Sequence, residues 1–368
     1  MPPSTTLVSK CTIFPGRKSH IQSLKLKLSV SDIPMLFCQY IQKGVLFTSP
    51  PFSFHHLLFL LHQSLSATLS HFPPLAARLT TGSDSHVHIV CNDDGIDFLA
   101  AKAPQLSIKQ VLPPGEDVPD SVKEFFAYDN TSSYSGHSMS LAAVQVTELL
   151  DGVFIGCTVN HAVTSFWHFF NTLAEIRKLG NSEISSFQSL CAQLWRSVTR
   201  VRKFEPTKTM TFRMAVNCRH RLLPKLESYY FGNAIQSIPT YAEAGELLAK
   251  DLSWGADLLH KNVVAHDDGT VRRGVAEWEE QPRLFPLGNL DDASITMGTS
   301  PRFPMYDNDF GWGRPLAVWS GRANKFDGKI SAFPGREGDG SVDLEVILAA
   351  ETMTGLEKDV EIMQYVCE

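Results

Sequence analysis

The stretch Gly152-Val-Phe-Ile-Gly-Cys-Thr-Val159-Asn160-His161 joins a nearly continuous apolar run to a polar end. Such a run is typical of a strand buried in the middle of a sheet. Asn160 and His161 then stand at the carboxyl end of that strand. The periodicity changes at once, because Ser165 can cap a helix whose apolar residues lie within 166–176. The stretch therefore predicts a histidine at the point where a buried strand ends.

Outward from this strand, helical and strand patterns alternate along the chain. Leucines between Leu57 and Leu69 recur at helical spacing, and Pro73-Pro74 ends that pattern. This mixture indicates an α/β protein of the mixed α+β kind. Further strands are predicted at 86–90, 140–147, 210–216, 317–319, 330–333 and 342–349, and further helices from 185 or 186 to 201 and at 355–365.

Length and charge narrow the classes of protein. The chain has 368 residues, whereas a single hydrophobic core stops growing near roughly 250–300 residues, so two domains are expected. The short polar segment 178–182 predicts their boundary, with domains at 1–178 and 179–368. A net charge of −6 argues against a protein that neutralises nucleic-acid phosphates. The basic cluster within 196–203 is predicted to be the solvated end of a helix.

Cysteine usage and apolar runs bear on the compartment. The seven cysteines are scattered without a C-x-x-C pair, which argues against a disulfide framework or a structural zinc site. The first residues lack the basic start and apolar run of a signal peptide, and Leu57–Leu61 is too short to span a bilayer. His55, His56 and His62 lack a metal-ligand pattern. We expect a cytoplasmic protein with no membrane span and no metal.

Two stretches could carry chemistry. The ordinary pKa of histidine, about 6.5, suits general-base catalysis near neutrality, which makes His161 a candidate base. The alternative is a core histidine whose ring nitrogens are satisfied by the backbone, and position alone favours this alternative. Asp309-Phe-Gly-Trp-Gly313 describes a tightly turned loop around a large ring, and by itself it indicates structure rather than catalysis.

Taken together, these stretches resemble the signature motifs of the plant BAHD acyltransferases, H-x-x-x-D and D-F-G-W-G. Asp309-Phe-Gly-Trp-Gly313 matches the second motif fully, and Asn160-His161-Ala-Val-Thr164 matches the start of the first. Supporting stretches follow in the family's order, so that the resemblance covers nearly the whole chain. They are Phe72–Leu79, Asn217–Arg221, Tyr230–Asn233, which is assigned to packing, and Arg302–Asp307.

The resemblance implies a fold of two similar chloramphenicol-acetyltransferase-like domains with a central channel between them. The first domain would carry His161 and the second the loop at 309–313. As general base, His161 would take a proton from an acceptor hydroxyl or amine that attacks the thioester of acyl-CoA. Acyl-CoA is then a co-substrate, and no cofactor is bound.

Other site residues follow only from the resemblance. Arg219 matches the arginine that pairs with the aspartate of the first motif. Thr299 and Ser300 loosely match polar contacts to the oxyanion or the substrate, and the alternative is that these hydroxyl residues only form a turn. The pentapeptide is carried over as structural, away from the reacting atoms. Its members are Asp309, Phe310, Gly311, Trp312 and Gly313.

The chain departs from the family pattern twice. Ser165 stands where the family has its aspartate, so Arg219 would lose that partner. His161 and Asp309 are 148 positions apart, several dozen fewer than in the family. The missing residues are predicted to lie between Ile176 and Ser185. The second departure threatens the fold more, since loss of a strand opens a sheet edge.

The resemblance therefore predicts an acyltransferase that acts on a plant specialised or cuticular metabolite. Its partners would be acyl-CoA and a small-molecule acyl acceptor, with no nucleic acid, and the chain is expected to be a monomer. The alternative is a catalytically weakened or internally deleted family member that binds CoA or a metabolite without efficient turnover.

Overall fold

The apolar stretch at 152–159 is one strand of a six-stranded sheet in a computed structural model of the chain. The structure describes residues 4–17, 24–113, 117–164, 186–227, 230–284, 288–299, 301, 305–336, 338 and 340–366. Neighbouring strands of this sheet are antiparallel, except that the strands Ile96–Ala103 and Ala142–Leu149 run parallel to each other. In spatial order the strands are β1 (Thr6–Ile13), β6 (Ile96–Ala103), β7 (Ala142–Leu149), β8 (Gly152–Val159), β3 (Ile41–Thr48) and β12 (Ala317–Ser320).

Strand β8 is apolar along its length because both faces of the sheet are covered. Val153 and Ile155 point into a core that includes helix α1 (Phe54–Leu69). Phe154 points the other way, into a second core with the aromatic rings of Phe125 and Trp319. Alternate side chains of a strand face opposite sides of its sheet, so a strand with two buried faces reads as a continuous apolar run.

Helix α1 confirms the helix predicted from the leucine spacing. It begins after Ser53, whose hydroxyl oxygen accepts a hydrogen bond of 3.2 Å from the backbone N–H of His56. This contact satisfies one of the N–H groups that every helix leaves free in its first turn. Leu57, Leu61 and Leu69 are buried, which is why the helical spacing is visible in the sequence.

The described chain divides into two compact units. The first holds residues 4–164 together with Phe231–Asn233 and Met305–Asn324, and the second holds the other described residues. The first unit also contains a three-stranded antiparallel sheet. In spatial order its strands are β2 (Lys25–Lys27), β5 (Val87–Val90) and β4 (Arg78–Thr81).

The second unit is a five-stranded sheet with helices. In spatial order its strands are β10 (Ile235–Glu243), β9 (Thr209–Asn217), β11 (Ser294–Met297), β13 (Lys329–Pro334) and β14 (Val342–Ile347). Trp195, which lies in helix α3 (Ser186–Arg202), is fully buried and packs against Phe212 of β9. The helices are α3 (Ser186–Arg202), α4 (Ala244–Ala249), α5 (Leu252–Ala265), α6 (Asp268–Glu280), α7 (Ala350–Leu356) and α8 (Val360–Met363), and a single turn, α2 (Ile108–Val111), lies in the first unit.

The structure differs from the predicted domains in where it places the loop at 309–313. The sequence assigned this loop to the C-terminal domain, but Met305–Asn324 belongs to the first unit. The physical reason is strand pairing, because Ala317 lies opposite Leu46 in the antiparallel pair of β12 with β3. The predicted boundary between 178 and 179 lies outside the described residues, as does the helix predicted after Ser165.

The predicted single helix at 355–365 is wrong. The chain forms α7 and then α8, with Asp359 between them. The Asp359 carboxylate accepts hydrogen bonds from the backbone N–H groups of Glu361 and Ile362, and it forms an ion pair with Arg200 of α3. Asp359 therefore ends α7, because its side chain caps α8 and binds Arg200 of α3. The spacing of apolar residues does not reveal such contacts.

The prediction of a solvated helix end for the basic cluster of α3 holds for the exposed Lys203 but is wrong for Arg202. The Arg202 side chain is buried and donates hydrogen bonds to the carbonyl oxygens of Asp292 and Ser294. The cluster therefore joins α3 to other parts of the second unit. The ion pairs are Arg196–Glu361, Arg200–Asp359, Arg200–Glu361 and Arg202–Asp327.

A buried histidine of the second unit predicts a pH dependence of stability. His266 follows α5, and one ring nitrogen lies 2.8 Å from the side-chain oxygen of Gln236. Burial, followed by the positive charge of Arg221, lowers the pKa of His266 below its ordinary value. As pH falls through about 6.5, His266 becomes protonated in the unfolded chain while it stays neutral in the folded chain. The free energy of unfolding therefore decreases.

We therefore expect the melting temperature to fall between about pH 7.5 and about pH 5.5, and to fall less in His266→Gln. Glutamine keeps a polar group in the site but does not titrate. His55→Gln, at an exposed position of α1, is the matched control and should melt like the unmodified chain at both pH values. Equal pH dependence in His266→Gln and the unmodified chain would contradict this account.

Candidate active site

His161 lies directly after β8, as the sequence predicts, in a turn that the preceding residue organises. The side-chain oxygen of Asn160 accepts a 3.0 Å hydrogen bond from the backbone N–H of Ala162. The carbonyl oxygen of Asn160 also accepts from Val163 at 3.2 Å and from Thr164 at 3.3 Å. An asparagine side chain that binds the backbone two residues ahead imitates a tight turn. The chain thus turns sharply at His161.

The turn is anchored on both sides of the histidine. Ala162 and Val163 are buried in a core cluster with Leu79 and Leu141, whereas the side chain of His161 is only half-buried. Apolar side chains on one side of a turn hold its backbone against the core. His161 is therefore the residue of this turn that retains partial access to solvent, although its Nδ1 atom is buried.

Both peptide groups of His161 are held by side chains from elsewhere in the first unit. The backbone N–H of His161 donates a 2.9 Å hydrogen bond to the hydroxyl oxygen of Ser133. Its carbonyl oxygen accepts a 2.8 Å hydrogen bond from the side-chain amide of Asn233. Two bonds on opposite sides of one residue fix its backbone, and with it the direction in which the side chain leaves the chain.

Ser133 and Asn160 form the first of these supports. Both residues are fully buried. The side-chain amide of Asn160 donates to the Ser133 carbonyl at 2.6 Å, and the Ser133 N–H donates to the carbonyl of Cys38 at 2.8 Å. Ser133 therefore binds the histidine and the residue before it at the same time.

Asn233 and Asp32 form the second support. The Asp32 carboxylate accepts from the backbone N–H of Asn233 at 2.9 Å and from its side-chain amide at 3.0 Å. The other carboxylate oxygen accepts from the backbone N–H and the hydroxyl of Ser29. Burial raises the pKa of Asp32, and the bonds from Ser29 and Asn233 oppose that rise. Three of the four partner groups are N–H groups, which can only donate, so both carboxyl oxygens of Asp32 act as acceptors.

Arg219 follows β9 in the second unit. It is buried, its backbone N–H donates to the side-chain oxygen of Asn217 at 3.0 Å, and its guanidinium carbon lies 5.7 Å from the ring centre of Tyr230. A guanidinium at this distance from an aromatic ring is attracted by the electrons of the ring face. Ser165, which stands in the place of its expected partner, lies outside the described residues.

The pentapeptide at 309–313 forms a tight loop in the first unit. The Asp309 carboxylate accepts hydrogen bonds from the backbone N–H groups of Gly311 at 2.7 Å and Gly313 at 3.0 Å. These two bonds hold the pKa of Asp309 below its ordinary value. Gly311 and Gly313 have φ of +100° and +119°, angles that residues with a Cβ atom rarely adopt. The acid and the two glycines therefore define the loop.

The loop places Trp312 against the first core. Its ring centre lies 5.4 Å from that of Phe47, 5.7 Å from that of Phe52 and 5.7 Å from that of Phe310. Phe47 is a fully buried residue of β3, whereas about half of the Phe310 side chain is exposed. These contacts attach the loop to the sheet that contains β8.

Thr299 lies after β11 in the second unit, and its hydroxyl donates a 2.8 Å hydrogen bond to the carbonyl of Ala332 on β13. That bond uses the one proton of the hydroxyl. Ser300 lies outside the described residues. A contact of either residue with an oxyanion or a substrate stays a prediction.

Three residues of the site were not predicted from the sequence. Ser133 has no local signal, since one serine in a loop resembles many others. Asn233 is part of Tyr230–Asn233, which the sequence assigned to packing. Asp32 had the clearest signal, because an acid directly before the apolar stretch 33–37 is expensive to bury unless something binds it.

The described residues contain neither a helix able to span a membrane nor a cluster of metal ligands. None of the helices in these residues combines the length and apolar character required to cross a membrane. The same part of the chain brings together no group of three His, Cys, Asp or Glu side chains placed to hold a metal ion.

The chain is similar to known proteins over nearly its whole length. The model of the Transferase family matches it over residues 4–185 and 177–363. The BAHD acyltransferase DCR of Arabidopsis thaliana is 28% identical over 448 aligned positions, which cover 94% of this chain and 91% of that protein. More positions are aligned than the 368 residues of this chain, so DCR contains residues that this chain lacks.

The two family-model matches overlap at 177–185, within the interval between Ile176 and Ser185 in which the sequence predicts missing residues. This interval lies outside the described residues, so the position of the loss stays a prediction.

Solved structures share the fold. Vinorine synthase superposes with a TM-score of 0.77 at 21% identity, covering 98% of both chains. TRI101 of F. graminearum, in complex with coenzyme A and deoxynivalenol, superposes with a TM-score of 0.76 at 15% identity, covering 93% of this chain and 98% of that one. These likenesses confirm the predicted mixed α/β, two-domain chloramphenicol-acetyltransferase-like fold.

Proposed function

This chain belongs to the BAHD acyltransferases of the Transferase family, and from this premise we propose that it acylates a plant metabolite with His161 as the general base. The acyl donor is an acyl-CoA thioester, and the acceptor is a hydroxyl or an amine of a specialised or cuticular metabolite. TRI101, which shares the fold, binds coenzyme A together with a small molecule, and this supports the donor class.

The reaction needs one proton acceptor at the nucleophile. The neutral imidazole of His161 takes the proton of the acceptor O–H or N–H while the oxygen or nitrogen attacks the thioester carbonyl carbon. A tetrahedral intermediate forms, and its oxyanion requires nearby hydrogen-bond donors. The C–S bond then breaks, the acyl group stays on the acceptor, and the imidazolium of His161 gives its proton to the CoA sulfur, so that CoA leaves as a thiol and the neutral base is restored.

The observation that carries this proposal is the anchored turn at His161. Its backbone is bound by Ser133 on one side and by Asn233 on the other, while the residue as a whole is only half-buried, with its Nδ1 atom buried. A general base needs a fixed direction and contact with its substrate. A core histidine with no role beyond packing needs no such exposure, so the arrangement favours the catalytic reading over the structural one.

The same turn bears on the missing aspartate. Ser165 stands four positions after His161, where the family has its aspartate. The bonds from Ala162, Val163 and Thr164 to Asn160 all lie before that position. The bend therefore depends on Asn160, and this supports catalysis by a chain without the motif aspartate.

A thermal melt with and without excess CoA or acetyl-CoA tests the donor site. Binding to the folded state alone stabilises it by about 2.7 kcal/mol when the ligand is present at about one hundred times its Kd. We therefore expect one or more cooperative transitions that shift upward with either ligand. His161→Ala should keep the shift, because the base is not needed to bind the donor. A cooperative melt that neither ligand shifts would contradict the proposed donor.

The weakened or deleted family member remains the second candidate, and the residues that DCR has and this chain lacks favour it. An acceptor panel of alcohols, phenols and amines with acetyl-CoA separates the two. Release of CoA with an acetylated product supports the transferase. A melt that shifts with CoA, but no turnover on any acceptor, supports a binding protein, and the absence of a cooperative melt indicates that the shortened chain does not fold.

A further inference from the structure

The side-chain amide of Asn233 is shared between a buried carboxylate and the backbone of His161. Its nitrogen donates to a carboxylate oxygen of Asp32 at 3.0 Å and to the carbonyl oxygen of His161 at 2.8 Å. Both partners are acceptors, so only the NH₂ end of the amide fits there. The chemistry of the partners thus determines the orientation of the Asn233 side chain.

From this geometry we propose that Asp32 and Asn233 are a positioning pair for His161, in which the carboxylate orients the amide and the amide holds the histidine backbone. The inference rests on the proposed function, since it assigns a purpose to the position of the base. Neither residue is required to touch the substrate. Their effect on the reaction passes through the peptide group that joins His161 to Ala162.

The pair is built into the first unit by contacts between distant parts of the chain. Asn233 is 201 positions from Asp32 and 72 positions from His161. Phe231–Asn233 belongs to the first unit although the residues before and after it belong to the second. This three-residue segment thus donates one hydrogen bond to the backbone of the candidate base. It also packs through Phe231 against Phe72.

Because Asn233 and Asp32 are buried, their hydrogen bonds are sensitive to substitutions that exchange an oxygen for a nitrogen. Asn233 is 2% exposed and Asp32 is 5% exposed. A buried hydrogen-bonding group that loses its partner retains the full cost of its removal from water. Both carboxyl oxygens of Asp32 accept hydrogen bonds, one from Ser29 and the other from Asn233. In Asp32→Asn an NH₂ group would replace one of these oxygens and would face an N–H donor, so that hydrogen bonds would be lost. Isosteric changes at these positions therefore disturb the bonds without changing the volume.

A small error in the position of a base has a large effect on rate. A displacement of about 1 Å can lower a rate about a hundredfold. The imidazole of His161 departs from a backbone that Ser133 and Asn233 hold. Removal of the Asn233 amide takes away the hydrogen bond to the His161 carbonyl oxygen and keeps the bond from the His161 N–H to Ser133. We therefore expect the loss of this bond to change kcat more than the binding of the donor.

The first experiment compares Asn233→Ala with a matched control. Asn262→Ala also removes a side-chain amide whose nitrogen donates twice, to the carbonyl of Pro239 and the hydroxyl of Thr240, but in the second unit. With acetyl-CoA and the best acceptor of the panel, Asn233→Ala should lower kcat about tenfold to hundredfold with little change in KM for acetyl-CoA. Asn262→Ala should leave kcat unchanged. An unchanged kcat in Asn233→Ala overturns the inference.

The second experiment needs no turnover. Histidine labelled with ¹³C at Cε1 gives one NMR signal per ring, and His161→Gln identifies the signal of His161. In Asn233→Ala this signal should move or broaden, while the other histidine signals stay where they are; Asn262→Ala should not affect it. A His161 signal that Asn233→Ala leaves unchanged overturns the positioning pair.

Together, the two experiments distinguish a failure of the proposed function from a failure of the positioning pair. If His161→Ala retains full turnover, the proposed function is wrong, and the NMR result still shows whether Asn233 orients that ring. If Asn233→Ala does not fold, the isosteric Asp32→Asn replaces it, with the same expected loss of kcat and the same expected change of the His161 signal. If neither variant folds, the pair serves folding rather than positioning, and the inference fails.

Discussion

His161→Ala is expected to lower CoA release at least about a hundredfold, because general-base catalysis contributes about 10²–10⁴ to the rate of such reactions. The melting temperature should change little. The His161 side chain is half-buried, and the contacts that hold its turn are made by its backbone and by Asn160, all of which alanine preserves. The measurement is CoA release from acetyl-CoA with an acceptor of the panel, together with a thermal melt.

His55→Ala is the matched control, because it removes an exposed imidazole from α1 of the same unit. It should match the unmodified chain in CoA release and in melting. Equal CoA release by His161→Ala and the unmodified chain would exclude His161 as the base. A loss of activity with an equally large fall in melting temperature would instead assign the residue to structure.

Trp312→Ala is expected to have the largest effect on stability, a loss of about 3 kcal/mol, as for large aromatic residues removed from cores. The indole packs against Phe47 and Phe52, and its removal leaves a cavity beside the sheet that contains β8. If the pentapeptide is structural, as the sequence predicts, the folded fraction that remains should keep its kcat. Denaturant unfolding and kcat per folded molecule measure the two effects separately.

Phe310→Ala is the control for this prediction, because it lies in the same loop with about half of its side chain exposed. It should lose clearly less stability than Trp312→Ala, since less apolar area returns to water. A Trp312→Ala variant with unchanged stability but a much lower kcat would show that the loop acts on the reaction. The carried-over structural assignment would then be wrong.

Local patterns predicted about half of the described strands and two of the described helices, but not β1, β6, β10 or the helices α4 to α6. The leucine spacing between Leu57 and Leu69 indicated α1, and the apolar run at 152–159 indicated β8, because burial of one helix face or both strand faces leaves a periodic or continuous apolar signal. The patterns predicted the last helix badly. Asp359 ends it through bonds to α8 and to Arg200, and neither contact has a local signature.

The motifs predicted the site only in part. The sequence placed His161 at the end of a buried strand, and the structure agrees. It assigned the loop at 309–313 to the second half of the chain, whereas strand pairing of β12 with β3 brings that loop into the first unit. Position along the chain does not determine which unit a segment joins, because hydrogen-bonded pairing can join strands that are far apart in sequence.

The sequence by itself determined the family, the mixed α/β class and the place of the candidate base, since each depends on residues that are close together or on motifs in a given order. The tertiary structure alone decided what holds that base. Ser133, Asn233 and Asp32 reach His161 or one another across 28, 72 and 201 positions. Such contacts form only when the folded chain buries polar groups that must then satisfy one another, and no local periodicity encodes them.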